Sequence, residues 1–291
     1  MLLPVYALLQ LLAVAITFGL GLLYVPGTSD WLSIVFSITF SHYLLALWYG
    51  RRRFAIIVQQ PASIAAFAVL LLLGYGLYSK GFPLYAFFAL HHAFNEAYLR
   101  NQRLPQEVKS TILLRSSAII LHFVAVLLLI KSPLRLHYEP VLWVLLVSSA
   151  IVWLRALAQL WPRLNSAQRL DQVMLELILL ALLPIAHFYP LSLVQVVCYH
   201  VVFWGFYPLL MLVGRQQLRP LMIYLVLTII TIGGFLAISP VGISGWKVSP
   251  SLFYSQFIIW SWLHITLAFA TSSAHPKWIT RWFAPRKAVS V

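Results

Sequence analysis

The sequence predicts an all-α fold, a polytopic membrane helix bundle of about ten transmembrane helices with both termini in the cytoplasm. Its 291 residues are 62% hydrophobic and only 9% charged, with a mean hydropathy of +0.90, which separates the chain from soluble domains. The apolar residues fall in runs of about 18 to 24, long enough to cross ~30 Å of hydrocarbon. Such runs are too long for barrel strands of ~10 residues, so helices are expected.

The predicted spans follow one another with short connections. They lie at about residues 2–24, 31–49, 61–79, 82–99, 111–130, 139–161, 172–188, 191–213, 220–238 and 251–272. No Lys or Arg precedes the first run, so we expect a transmembrane helix there rather than a cleaved signal peptide. The turn at residues 186–190 is so tight that helices seven and eight are alternatively one kinked or re-entrant element. We expect residues 1–272 to form a single membrane domain and residues 273–291 a basic, amphipathic cytoplasmic tail.

Lys and Arg are distributed unequally between the two sides that these spans define. Basic residues accumulate in cytoplasmic loops, and sixteen of the twenty fall on one side: Arg51, Arg52, Arg53, Arg100, Arg103, Lys109, Arg115, Arg155, Arg163, Arg169, Arg215, Arg219, Lys277, Arg281, Arg286 and Lys287. The other four are Lys80, Lys131, Arg135 and Lys247. This asymmetry predicts cytoplasmic termini, and we expect a bacterial inner membrane. The net charge of +14 does not indicate nucleic-acid binding, because the basic residues occupy short loops and form no stripe on a folded domain.

One segment of the fourth predicted span is polar. His91, His92, Asn95 and Glu96 stand in an otherwise apolar run, and ionisable groups inside a bilayer are costly enough to indicate a functional site. Positions four apart share a helix face, so His91 lies beside Asn95 and His92 beside Glu96. We expect His92 to pair with Glu96 and His91 to turn toward a neighbouring ligand helix. The loops are too short for a soluble domain, so any chemistry is expected inside the membrane.

Further histidines lie at comparable predicted depths on other spans: His42, His122, His200 and His264. His42, for example, lies nine residues before Arg51, which places it about 13 Å from the cytoplasmic boundary. A lone histidine in a bilayer helix usually hydrogen-bonds a neighbouring helix. Several imidazoles at one depth, together with His91 and His92, instead favour a metal site, because neutral imidazole is a common ligand of iron, zinc and copper.

Carboxylates and tyrosines near these histidines complete the predicted site. The candidate catalytic side chains are Glu96, Asn95, Tyr43 and Tyr199. Glu96 needs a cation, a metal or a proton to be tolerated at its predicted depth. Glu176 lies about five residues into the seventh span, where we expect its carboxylate to reach interfacial water.

Three short segments carry a resemblance to a known family. They are Phe40-Ser41-His42-Tyr43, His91-His92-Ala93-Phe94-Asn95-Glu96 and Tyr199-His200-Val201-Val202-Phe203-Trp204. Their layout resembles the bacterial Brp/Blh family of membrane β-carotene 15,15′-dioxygenases. The chain departs from the family at Tyr43, where the family has glycine, and at Trp204, where it has a second histidine. The resemblance implies iron-dependent oxygen cleavage of a polyene lying in the bilayer.

Three functions are compatible with these observations. The first is a membrane metalloenzyme in which one or two iron ions, or another transition metal, are bound by some of His42, His91, His92, His122, His200 and His264. Its substrate would be a lipid-soluble molecule such as a carotenoid, an isoprenoid or an acyl lipid. The alternative is a proton- or cation-coupled transporter that uses Glu96 and the intramembrane histidines. The third is a membrane scaffold. The expected partners are membrane lipids and the substrate, with the oligomeric state left open.

Overall fold

A computed structural model describes residues 3–22, 29–78, 82–104, 112–189, 191–242, 248–271 and 283. These residues form α-helices and one 3₁₀ turn, Trp161–Arg163, and contain no β-strand longer than an isolated bridge. The helices are α1 Leu3–Leu22, α2 Ser29–Val58, α3 Pro61–Tyr78, α4 Phe82–Arg103, α5 Ile112–Leu129, α6 Pro133–Leu160, α7 Ser166–Phe188, α8 Leu193–Gly214, α9 Leu218–Ile238 and α10 Pro250–Thr271. Of the predicted tail, all but Phe283 lies outside the described residues.

Seven of these helices are long and apolar enough to cross a membrane, namely α2 and α5 to α10. Two more contain shorter apolar stretches, Tyr6–Thr17 in α1 and Pro61–Leu73 in α3. The described residues therefore form a helical bundle, and its apolar helices make the chain a multi-pass membrane protein, as its hydropathy predicts. The predicted seventh and eighth spans are separate helices, because α7 ends at Phe188 and α8 begins at Leu193.

Several helices extend beyond the apolar runs from which they were predicted. The sixth and seventh begin about six residues early. In α6 a short helix, capped by the Ser132 hydroxyl that accepts from the amide of Arg135, joins the predicted span across a kink at Tyr138 (φ −126°, ψ 16°). In α7, Asn165 and Gln168 form a reciprocal capping box. Likewise α2 continues to Val58, past the arginines at 51–53. A charged residue therefore does not mark the end of a helix in this chain.

The described helices cluster into two compact units. Unit 1 comprises Met1–Leu12 and Leu77–Val196, and unit 2 comprises Ala13–Gly76 and Val197–Val291. In unit 1 the central element is α5, which packs against α4, α6 and α7. The α5 side chains from residue 124 to 129 are at most 2% exposed. Such an all-round apolar helix is expected at the centre of a bundle.

Unit 2 is organised around α2, which packs against α9 and α10. Aromatic rings fill the contact with α10: Phe36 stacks on Phe257 with ring centroids 4.3 Å apart. The Ser41 hydroxyl lies 2.5 Å from that of Thr231 on α9. The Tyr224 hydroxyl of α9 donates to the carbonyl oxygen of Gly205 on α8, 2.6 Å away. These contacts fix the rotation of the helices that carry the histidines of unit 2.

Candidate functional site

Three histidines of unit 2 converge from three helices: His42 on α2, His200 on α8 and His264 on α10. One ring nitrogen of each lies within 4.8 Å of the other two. The ring centroids are 5.3 Å apart for His42 and His200, 4.9 Å for His42 and His264, and 6.4 Å for His200 and His264. In the described part of the chain, this is the one group of three or more potential metal ligands. We call it the histidine triad.

The triad fits a transition metal by donor type and by its unsatisfied polar atoms. Imidazole nitrogens bind at ~2.0–2.1 Å from zinc, which separates tetrahedral ligand atoms by roughly 3.4 Å, so modest ring rotations close the observed gap. The Nε2 atom of His42 is buried and receives no hydrogen bond from any described residue. Such an atom is costly in a protein interior, and coordination to a metal satisfies it. Three imidazoles also leave coordination positions open for other ligands.

Tyr43 orients one member of the triad. Its ring stacks on that of His264, with centroids 4.6 Å apart and an interplanar angle of 22°. Its hydroxyl lies 2.6 Å from the hydroxyl of Ser261, which itself donates to the carbonyl oxygen of Phe257. The Tyr43 hydroxyl must therefore be the donor to Ser261, and its proton is already engaged. These contacts make Tyr43 a positioning residue for His264, and its predicted catalytic role stays a prediction.

An apolar cavity of about 350 Å³ borders the triad at His42. It is lined by His42, Leu45, Ala46, Tyr49, Trp204, Pro208, Met211, Leu212 and Tyr224. The indole Nε1 atom of Trp204 is buried and makes no hydrogen bond to a described residue, so it offers a polar contact in apolar surroundings. Trp204 was not among the predicted site residues. The available signal was its spacing of four from His200, which places both on one face of α8.

Tyr199, predicted as catalytic, is a buried residue of α8 next to His200. Its ring stacks on Phe203 with centroids 6.1 Å apart and an interplanar angle of 12°. Phe203 in turn stacks on Tyr207 at 5.8 Å. The three rings form a stripe along α8 that favours a packing role for Tyr199.

Glu96 belongs to unit 1, where its carboxylate contacts α1. The Tyr6 hydroxyl donates to Oε2 of Glu96 at 2.8 Å, and the Gln10 amide donates to the same oxygen at 3.1 Å. His92 hydrogen-bonds His122 on α5 instead, with Nδ1 of His92 2.7 Å from Nε2 of His122. The expected pairing of His92 with Glu96 is therefore wrong. The i, i+4 spacing places both on one face of α4 but does not choose their partners.

His91 bonds within its own helix. Its Nε2 atom lies 3.1 Å from the amide nitrogen of Asn95, as the spacing of four predicts. The expectation that His91 turns toward a neighbouring ligand helix stays a prediction. Asn95 acts here as the hydrogen-bond partner of an imidazole.

Glu176 and Arg100 form a buried ion pair in unit 1. Oε1 of Glu176 lies 2.5 Å from Nη1 of Arg100, and the two side chains are 0% and 4% exposed. Nδ1 of His122 lies 3.7 Å from the same Oε1. The expectation that Glu176 reaches interfacial water is wrong, and so is the assignment of Arg100 to a loop. Both errors have one cause, since each charge is neutralised by the other and needs no water.

The predicted site residues therefore divide between the units. Unit 2 contains His42, Tyr43, Tyr199, His200 and His264, and unit 1 contains His91, His92, Asn95, Glu96 and His122. The triad contains three of the six predicted metal ligands. His91, His92 and His122 make the hydrogen bonds described above within unit 1.

No protein-family model, curated protein or solved structure matches this chain. The likeness to the Brp/Blh dioxygenases thus stays a resemblance of the three histidine segments.

Removing Arg100 alone is expected to destabilise the protein more than removing Arg100 and Glu176 together. Arg100→Met leaves a buried carboxylate without its cation, which costs about 3–5 kcal/mol. Arg100→Met combined with Glu176→Leu removes both charges and should recover much of that loss. The free energy of unfolding in detergent measures both effects. Arg155→Met, at an exposed position on α6, is the control and should change little. A double variant less stable than Arg100→Met would contradict the pairing.

Proposed function

We propose that the protein is a membrane-embedded metalloenzyme whose metal is held by His42, His200 and His264 and whose substrate is lipid-soluble. The observation that carries this proposal is the convergence of three imidazoles from three helices beside an apolar cavity. Iron is the metal we favour, with another transition metal as the alternative. When bound, a non-haem iron with open positions supplies redox chemistry toward dioxygen, which makes the proposed activity that of an oxygenase or a related oxidoreductase.

The protein's own contribution is orientation and exclusion of water. Tyr43, anchored by Ser261, holds the plane of the His264 ring. The cavity walls are aliphatic and aromatic, so a substrate seated there is dry and lies against His42. The indole N–H of Trp204 is available to a polar atom of that substrate. A rigid aromatic setting of this kind fixes the reacting group relative to the metal.

The substrate class we propose is a carotenoid, an isoprenoid or an acyl lipid. The cavity volume of about 350 Å³ is within the usual range of ~300–1,000 Å³ for small-molecule sites, and its lining suits a hydrocarbon chain. A molecule of this type is dissolved in the bilayer and would enter sideways between helices.

The membrane arrangement we propose is ten spans with both termini in the cytoplasm of a bacterium. It is supported by ten helices in the described residues and by the sixteen-to-four distribution of Lys and Arg. Arg100 no longer contributes to that argument because its charge is neutralised by Glu176. Fifteen basic residues against four still favour the same orientation.

Loss of any triad histidine is expected to remove the metal. Purified full-length protein should contain about one transition-metal ion per chain, and His42→Ala, His200→Ala and His264→Ala should each lower the affinity by more than the ~10–100-fold typical of lost supporting contacts. Elemental analysis after dialysis measures this. His187→Ala, at an exposed position on α7, is the matched control. Full metal content in all three triad variants would contradict the proposal.

Filling the cavity is expected to reduce turnover without removing the metal. Ala46→Trp places a large ring in the cavity, whereas Ala55→Trp places the same ring on an exposed face of the same helix. With β-carotene in detergent as the probe, the first variant should lose at least about tenfold in dioxygen consumption, the loss expected when a pocket contact is misplaced. The second should match the unmodified protein. Equal activity in both variants would show that this cavity is not the substrate site.

A further inference from the structure

The carboxyl group of Glu96 has an asymmetric set of hydrogen bonds. Oε2 accepts two, from the Tyr6 hydroxyl and the Gln10 amide, while Oε1 is buried and accepts none from any described residue. The side chain of Glu96 is 0% exposed. Glu96 lies in unit 1, whereas the histidine triad lies in unit 2.

This asymmetry fits a carboxylic acid better than a carboxylate. An ionised carboxylate carries charge on both oxygens, and a buried charged oxygen without a donor is strongly unfavourable. In the neutral acid one oxygen is a carbonyl that accepts two hydrogen bonds and the other is a hydroxyl. The contacts of Oε2 match the carbonyl. A hydroxyl at Oε1 also has no partner among the described residues, but an unpaired neutral hydroxyl costs less than an unpaired charged oxygen, so the proton is placed on Oε1.

The charges around Glu96 lead to the same assignment. On α4 itself the nearby groups are His92 and Arg100, α1 presents Tyr6, α5 presents His122 and α7 presents Glu176. Arg100 is already neutralised by Glu176 at 2.5 Å. A second buried carboxylate beside one guanidinium would leave a net negative charge in the interior, which is unfavourable without a proton or another cation.

Arg100 nevertheless has an unused donor. Its Nη2 atom is buried and makes no hydrogen bond to a described residue, and its Nε atom reaches back to the carbonyl oxygen of Glu96 at 3.4 Å. The guanidinium presents five donors in a planar fork. The guanidinium can therefore stabilise the Glu96 carboxylate after the proton has left, while it still pairs with Glu176.

We propose that Glu96 is a reversible proton-binding site of unit 1, distinct from the metal site. In its resting form Glu96 carries one proton on Oε1, and Glu176 and Arg100 are an ion pair. On release, the O–H bond of Glu96 breaks, the proton passes to a water molecule that reaches Oε1 and forms hydronium, and the electron pair stays on the carboxylate. The Arg100 guanidinium is then shared between the carboxylates of Glu96 and Glu176. Two carboxyl groups whose surroundings favour opposite protonation states are the usual basis of such a site.

Infrared spectroscopy of the full-length protein in detergent tests the proposal, because the carbonyl stretch of a protonated carboxyl group is separate from carboxylate bands. The chain has only six Asp and Glu residues, so each signal is assignable by substitution. At pH ~7, where an ordinary Asp or Glu is ionised, we expect one buried carboxylic-acid band. Glu96→Gln should abolish it. Glu139→Gln, which alters a carboxylate 34% exposed, should leave it unchanged.

Two further variants keep the test decisive if Glu96→Gln fails to fold. Tyr6→Phe removes one hydrogen bond to the carbonyl oxygen, so the band should move to higher frequency. Glu176→Gln frees Arg100 to pair with Glu96, so the band should be lost at a lower pH than in the unmodified protein. Absence of the band near neutral pH, its persistence in Glu96→Gln, or no change of the band in Tyr6→Phe would each overturn the proposal.

Discussion

The cost of placing polar atoms in a low-dielectric interior governs both groups of buried polar side chains in this protein. An ionisable side chain inside a membrane bundle must find a counter-charge, a hydrogen-bond partner, a metal or a proton. In unit 1, Glu176 forms an ion pair with Arg100 and His92 hydrogen-bonds His122. The carboxyl group of Glu96 accepts hydrogen bonds from Tyr6 and Gln10. In unit 2 the buried Nε2 of His42 makes no hydrogen bond to a described residue, and the partner that we propose for it is a metal held together with His200 and His264.

The same constraint gives the two regions different chemistry. Unit 1 combines carboxyl groups, a guanidinium and imidazoles. The positive and negative charges of these groups nearly cancel, so protons can pass among them. The triad of unit 2 has only neutral nitrogen donors and is bordered by hydrocarbon and aromatic side chains, a composition suited to a metal and an apolar substrate. Tyr43 sets the plane of the His264 ring there. Its own ring stacks on His264, and its hydroxyl is held by Ser261.

The sequence was sufficient to predict the helical fold. It placed His42, His200 and His264 in one set of candidate ligands, but together with His91, His92 and His122, which belong to unit 1. Length and hydropathy define the helices, and distance from the charged loops sets the depth of each histidine. The depth of a residue does not say which way its helix is rotated. The sequence therefore could not predict that His92 hydrogen-bonds His122 on α5. The predicted depth is also wrong where two charges neutralise each other. Arg100 follows the predicted end of a span, as a loop residue would, yet its ion pair with Glu176 allows both side chains to be buried.

The central claim is that three imidazoles from α2, α8 and α10 bind one transition metal. X-ray absorption spectroscopy of the metal-loaded, full-length protein tests it most directly. The account predicts a first shell at ~2.0–2.2 Å that contains three imidazole nitrogens, recognisable by scattering from the outer ring atoms. His264→Ala, treated with the same metal concentration, should lose this three-imidazole shell together with the metal. A first shell of oxygen or sulfur without imidazole scattering would contradict the claim.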